Sequence, residues 1–176
     1  MSRRTIAAAV AALAAVGITS VATAVGGTPA RPYKASLTAV NPAATTAGLA
    51  TVAGKAQLVD GKKNNKVSLH MRNLAADTMY LWHVHEGSCP AAGPIVPGWT
   101  YRTQDGVNGT LTSDASGNAN TKGKSETFNA DPNKSYSVNV HVSTLTNGVT
   151  TGTVIACGDL KATKKPHPSQ AKGPKS

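Results

Sequence analysis

The stretch Tyr136-Ser137-Val138-Asn139-Val140-His141-Val142-Ser143 alternates without a break. Tyr136, Val138, Val140 and Val142 share one phase; Ser137, Asn139, His141 and Ser143 share the other. Successive side chains of a strand point to opposite faces, so this stretch predicts a strand with an apolar face on a core and a polar face turned outward. Nothing constrains the fold more, because beyond the first residues no segment keeps a 3.6-residue apolar repeat. Short runs of Val, Thr, Leu and Ile recur between clusters of Gly, Asn and Asp. They predict strands over Ala35–Val40, Leu49–Val59, Lys66–Leu74, Thr78–Glu86, Thr110–Ser113, Ala119–Thr127, Lys134–Leu145 and Gly152–Leu160. The segments from Asp60 to Asn65, Asp114 to Asn118 and Asn129 to Asn133 are rich in turn formers. An all-β domain follows, an antiparallel sandwich or barrel. Gly87 to Asn108, with three prolines, is the one long connection, and long loops in compact β domains are often where function lies.

The two ends read differently from this body. Residues 1–24 carry Arg3 and Arg4, an apolar run from Ile6 to Ile18 and a small-residue ending at Ala22-Thr23-Ala24. This is the pattern of a secretory signal peptide, with cleavage expected near Ala24. The apolar run is too short to span a bilayer comfortably, so no transmembrane span is expected in the mature chain. Residues 25–34 read as a linker and 35–160 as one domain. Residues 161–176 read as a disordered basic tail with three prolines and few apolar residues.

The formal charge of +10 is uneven along the chain. From Ala35 to Leu160 there are nine Lys/Arg against eight Asp/Glu, while the tail carries five cations and no acid. A nearly neutral body with no basic stripe argues against nucleic-acid binding. The tail is suited to anionic cell-envelope polymers, or serves only as a solubilising end. With one Phe, two Trp and four Tyr, the core must rely on Val, Leu, Ile and Ala, and a small core of this kind benefits from a covalent staple. The only two cysteines are Cys89 and Cys157. In an exported protein an isolated pair is most simply a disulfide, the other reading being two unpaired thiols.

In Leu81-Trp82-His83-Val84-His85 the two histidines share a face. Positions i and i+2 of a strand lie roughly 6.5–7 Å apart. Imidazoles reaching to about 2 Å from a metal ion can converge across that gap. If His141 lies on a neighbouring strand, a three-nitrogen site results, with copper, zinc, iron or nickel as suitable ions. The same residues also fit a set of surface histidines with no ligand. His70, on the polar phase of its own strand, reads as a solvated surface residue, and so does His167 between prolines of the tail.

Taken together and in order, these segments resemble the copper/zinc superoxide dismutase family. The resemblance rests on His83-Val84-His85-Glu86 followed by Cys89, on the turn Asp114-Ala115-Ser116-Gly117-Asn118, on Val140-His141-Val142, and on Val154-Ile155-Ala156-Cys157-Gly158. It covers roughly Ala35 to Leu160. It implies an eight-stranded antiparallel Greek-key barrel, copper held by His83, His85 and His141, and a Cys89–Cys157 bridge tying the long loop to the barrel. The chain departs from the family in three respects. No histidine lies between Glu86 and Val140, so the family's zinc site and bridging imidazolate are absent. Val154 stands where the family has an arginine that attracts superoxide. The aspartate linking the two metal sites would fall near Leu145. Arg102, in the long loop, is a candidate for the missing guide charge.

The resemblance implies a secreted copper protein that dismutes superoxide to oxygen and peroxide. Two alternatives are a non-catalytic copper-binding protein of the cell envelope and a metal-free interaction module. No Ser/His/Asp or Cys/His nucleophile arrangement and no phosphate-cradling glycine loop is visible.

Overall fold

A computed structural model describes residues 31–61, 65–91, 93–101, 103–104, 107–143 and 152–163. The stretch read as a signal peptide, most of those read as linker and tail, and with them Arg102, Leu145 and His167, lie outside the described residues.

Five long strands come from five of the alternating runs: β1 (Arg31–Ala39), β2 (Ala53–Asp60), β3 (Asn65–Arg72), β4 (Met79–Glu86) and, later in the chain, β9 (Ala119–Ser125). Three more complete the set: β8 (Thr110–Thr112), β10 (Tyr136–Val142) and β11 (Val154–Asp159). Short strands β5 (Thr100–Tyr101), β6 (Thr103–Gln104) and β7 (Val107–Asn108) lie in the long loop, and β12 (Lys161–Ala162) follows β11. One four-residue helix, α1 (Ala43–Thr46), follows β1.

The main sheet runs β5-β9-β3-β2-β1-β11-β10-β4-β8, every pair antiparallel. Chain neighbours β3 and β4 are far apart in this order, as are β9 and β10, so the connections cross over in Greek-key fashion. The sheet curls into a nearly closed barrel, one of the two architectures that the predicted strands allow. Along β1, β3 and β9 buried and exposed positions alternate strictly over most of their length. The inward phase of these and the other strands supplies Leu37, Leu58, Leu69, Val84, Val138 and Val140, each essentially inaccessible to solvent. The hairpin at 114–118 forms as its sequence predicts: Asp114 Oδ1 accepts from the backbone N–H groups of Ser116 and Asn118 at 2.9 and 2.8 Å.

Several boundaries differ from expectation. β1 begins at Arg31, inside the stretch read as linker, because residues 31–34 extend the hairpin against 57–60 of β2. β12 takes in the first tail residues by pairing with Tyr33 and Lys34. Leu49 to Val52 is not strand: Leu49 N–H donates to Ala44 O and Val52 N–H to Leu49 O, and both side chains are buried. Their apolar character serves the packing of a turn rather than a pleat. The scarce aromatic residues are not a minor part of the core; every one of them is buried. Four line up beside the long loop, Trp82–Tyr101, Trp99–Tyr101 and Trp99–Phe128 having ring centroids 4.7, 6.3 and 5.1 Å apart.

The charges balance in number but not in place. Lys55, Lys66, Arg72, Lys122 and Lys124 all occupy exposed outward positions of β2, β3 and β9, where no carboxylate shares the outward phase. Lys66 and Lys124 are direct cross-strand partners. The body therefore does carry a basic face, which counting charges along the chain does not reveal.

Candidate metal centre

The site begins where β4 runs out of neighbours. β8 pairs only with Met79 to Leu81, leaving the edge of β4 beyond Leu81 open on that side. The long loop occupies this edge. Trp82 N–H donates to Gly109 O, Val96 N–H to Val84 O and Glu86 N–H to Pro94 O, at 2.7, 2.9 and 3.0 Å. Val84 N–H donates to the Tyr101 hydroxyl at 2.9 Å. Buried backbone donors must be satisfied, and here loop atoms take the place of a missing strand. The start of the loop crosses β10, Gly87 N–H donating to Ser135 O at 2.8 Å, and is bonded to β11 through the disulfide Cys89–Cys157. Cys89 N–H also donates to Asp159 Oδ1 at 2.8 Å.

This roof changes the character of the outer face. The alternation of β10 predicts Ser137, Asn139 and His141 facing outward, and all three are buried, with exposures of 0, 0 and 8 %. His85 is likewise buried and His83 half-buried. The polar phase does lie outside the barrel interior, but it is covered rather than solvated. His70 by contrast is exposed on β3, with Nδ1 hydrogen-bonded to Asn120 Oδ1, as expected of a surface histidine.

Under the roof one ring nitrogen from each of His83, His85 and His141 lies within 4.8 Å of the other two. The second-layer contacts decide which nitrogens are free. His85 Nδ1 lies 2.9 Å from Gly93 O and His141 Nδ1 2.8 Å from Gly152 O. A carbonyl only accepts, so each ring carries a proton on Nδ1, which leaves Nε2 as the nitrogen free to meet an ion. These two Nε2 atoms face each other at 3.3 Å. Two neutral imidazoles so arranged oppose lone pair to lone pair, an arrangement that a cation between them relieves. An ion about 2.0–2.1 Å from each nitrogen in a trigonal or tetrahedral set needs them about 3.3–3.6 Å apart. The His85–His141 pair thus has the spacing that a metal ion requires, and His83 completes a set of three donors within 4.8 Å of one another.

His83 enters from the side. A Cβ on Gly109 would lie 2.6 Å from His83 Nε2, and Gly109 has φ +82°, so only glycine allows both the turn and the ring. Tyr101 backs the ring edge-on, the centroids 5.4 Å apart. Burial, reinforced by His141 and then His85, pushes the His83 pKa down to about 4. Burial also lowers that of His141, with the bond to Gly152 O acting in the opposite direction and His85 adding to the lowering. Both rings are neutral at pH 7 and hold lone pairs ready for an ion. Val154 is the β11 residue opposite His141, past a bulge that shifts the register between Val140 and His141. Bulges re-aim side chains beside functional sites.

The sequence pointed to all three rings and to the disulfide, but not to Gly93, Gly109, Gly152 or Tyr101, which aim the rings from the loops. Asn108-Gly109 before β8 was the only local signal, a turn former where the chain needs a positive φ.

No protein-family model matches the chain, and no curated protein matches it in sequence. What stands is the class of object: a nearly closed, disulfide-bonded β-barrel with a buried three-imidazole cluster, compatible with a copper/zinc superoxide dismutase-like fold. Among the described residues no helix is long and apolar enough to cross a membrane.

Proposed function

We propose that this chain is an exported copper-binding protein of the superoxide dismutase type, working at a single copper ion held by His83, His85 and His141, without zinc. The observation that carries the reading is the pair of Nε2 atoms 3.3 Å apart, on rings whose Nδ1 atoms are turned to backbone carbonyls, with a third ring beside them. Imidazole donors suit copper, and backbone-fixed tautomers orient them in advance of binding. Copper so held would supply one-electron chemistry, by which two superoxide ions and two protons give one oxygen and one hydrogen peroxide. The chain's own part is to hold three nitrogens in place, to exclude bulk water with the loop, and to admit a small anion. Among the described residues no further histidine joins this cluster as a bridge, so protons come from water. The apolar run after Arg4 and the disulfide support export. The basic tail is proposed to hold the protein near anionic cell-envelope polymers.

One observation favours a second reading, copper binding without turnover. Val154 stands opposite His141 and brings no positive charge to the site. Copper titration of the mature chain, followed by electron spin resonance, tests the shared premise. Nitrogen coupling that disappears in His141→Ala is the expected result; a spectrum without nitrogen coupling removes both readings. Superoxide decay on the copper-loaded protein then separates dismutation from mere binding.

A further inference from the structure

Asn139 lies between the three rings and is used by nothing around it. On β10 it is opposite His83 of β4 and Cys157 of β11. His85 is opposite Ser137, and His141 is opposite Leu81, so these two rings start two residues to either side of Asn139 on the same face. Their Nε2 atoms nonetheless meet at 3.3 Å. The rings therefore lean together along the strand and close over Asn139, with His83 beside it. Its side chain is fully buried, and neither Oδ1 nor Nδ2 has a hydrogen-bond partner. Native proteins leave very few buried polar atoms unsatisfied, and here both ends of one amide are unpaired.

Resting on the metal reading above, we propose that Asn139 is the fourth donor of the site, its Oδ1 being a neutral oxygen that would bind the ion together with the three nitrogens. Weak axial oxygen donors are known to tune three-donor copper centres, and a hard oxygen favours Cu(II) over Cu(I). Nδ2 is left to Ser137 Oγ, the other buried atom on this face without a partner, within reach of one bridging water.

The test uses the whole mature chain as wild type, Asn139→Val, Asn139→Asp and His141→Ala, titrated with Cu(II) and with Cu(I). Asn139→Val should bind Cu(II) about tenfold more weakly and Cu(I) unchanged, raising the reduction potential by about 59 mV. Its spin-resonance spectrum should keep nitrogen coupling but change in axial parameters, while the metal-free variant melts no lower than wild type. Asn139→Asp keeps the shape and adds a charge, so it should bind Cu(II) more tightly, and it carries the test if the valine variant does not fold. Unchanged Cu(II) affinity, spectrum and potential in both variants overturn the proposal while leaving the three-histidine site intact. Failure of wild type to bind copper overturns the metal reading itself, and is seen before any Asn139 variant is made.

Discussion

The outside of this barrel has two faces built on one rule. On β2, β3 and β9 the outward phase carries Lys55, Lys66, His70, Arg72, Lys122 and Lys124, all exposed. On β10 the outward phase carries Ser137, Asn139 and His141, all buried. Strand pattern alone treats the two alike, as polar positions pointing away from a core. The difference is the loop from Gly87 to Asn108, which bonds along the open edge of β4 and is tied to β11 by Cys89–Cys157. A polar side chain facing water is satisfied cheaply and does little, whereas one covered by a loop must find a specific partner. The covered face thus acquires oriented rings and depressed pKa values, and the open face stays a field of solvated cations.

The severest way to break this contrast is to untie the roof. Replacing both Cys89 and Cys157 with Ala opens a loop spanning 68 residues of sequence. It should cost about 2–5 kcal/mol in chemical denaturation. Amide exchange at Val84, Val96 and Glu86 should accelerate, while β3 and β9 keep their protection.

A smaller effect is expected from Gly109→Ala. The new methyl collides with His83 Nε2 on a backbone that disfavours any side chain. Copper affinity should fall about 10–100-fold, read by competition with a chromophoric chelator. Lys122→Gln on the open face should leave that affinity unchanged.

Acid provides a gentler probe. His83 is held down to about 4, below an ordinary value near 6.5. The unfolded chain therefore binds a proton that the native metal-free protein refuses. Its stability should be constant above pH 7, fall as pH drops through about 6.5, and level off with respect to this group below about 4. His141 acts in the same direction. Denaturant melts across this range should show a smaller slope in His83→Phe, the remainder belonging to His141.

The least change belongs to the open face itself. Lys66 and Lys124 are opposed across β3 and β9 with like charge. Lys124→Gln should stabilise by a few tenths of a kcal/mol at low salt, an effect that vanishes as salt screens the pair.

The strands were legible because alternation is a local property, and so many short strands with tight turns left a sandwich or a barrel as the ways to close. The start of β1 at Arg31 was not legible. Its pairing with Asp60 is made by a hairpin partner, not by anything in Arg31-Pro32-Tyr33-Lys34 itself. His83, His85 and His141 could be placed on one outward face from the sequence, yet their burial could not. Burial here depends on a loop whose own residues carry no periodic signal. Asn139 shows the same limit most sharply, since in the alternation it is indistinguishable from Asn120 on β9, which is exposed.

The amino-acid order alone determined which side of each strand a residue takes, which residues can donate nitrogen, and which two sulfurs are available to bond. Only the tertiary structure decided that the nitrogens converge, that Gly93 and Gly152 choose their tautomers, and that a polar face is dry. Those features arise from contacts between segments distant in sequence, where the positions of backbone carbonyls and the reach of a loop, rather than residue type, set the chemistry.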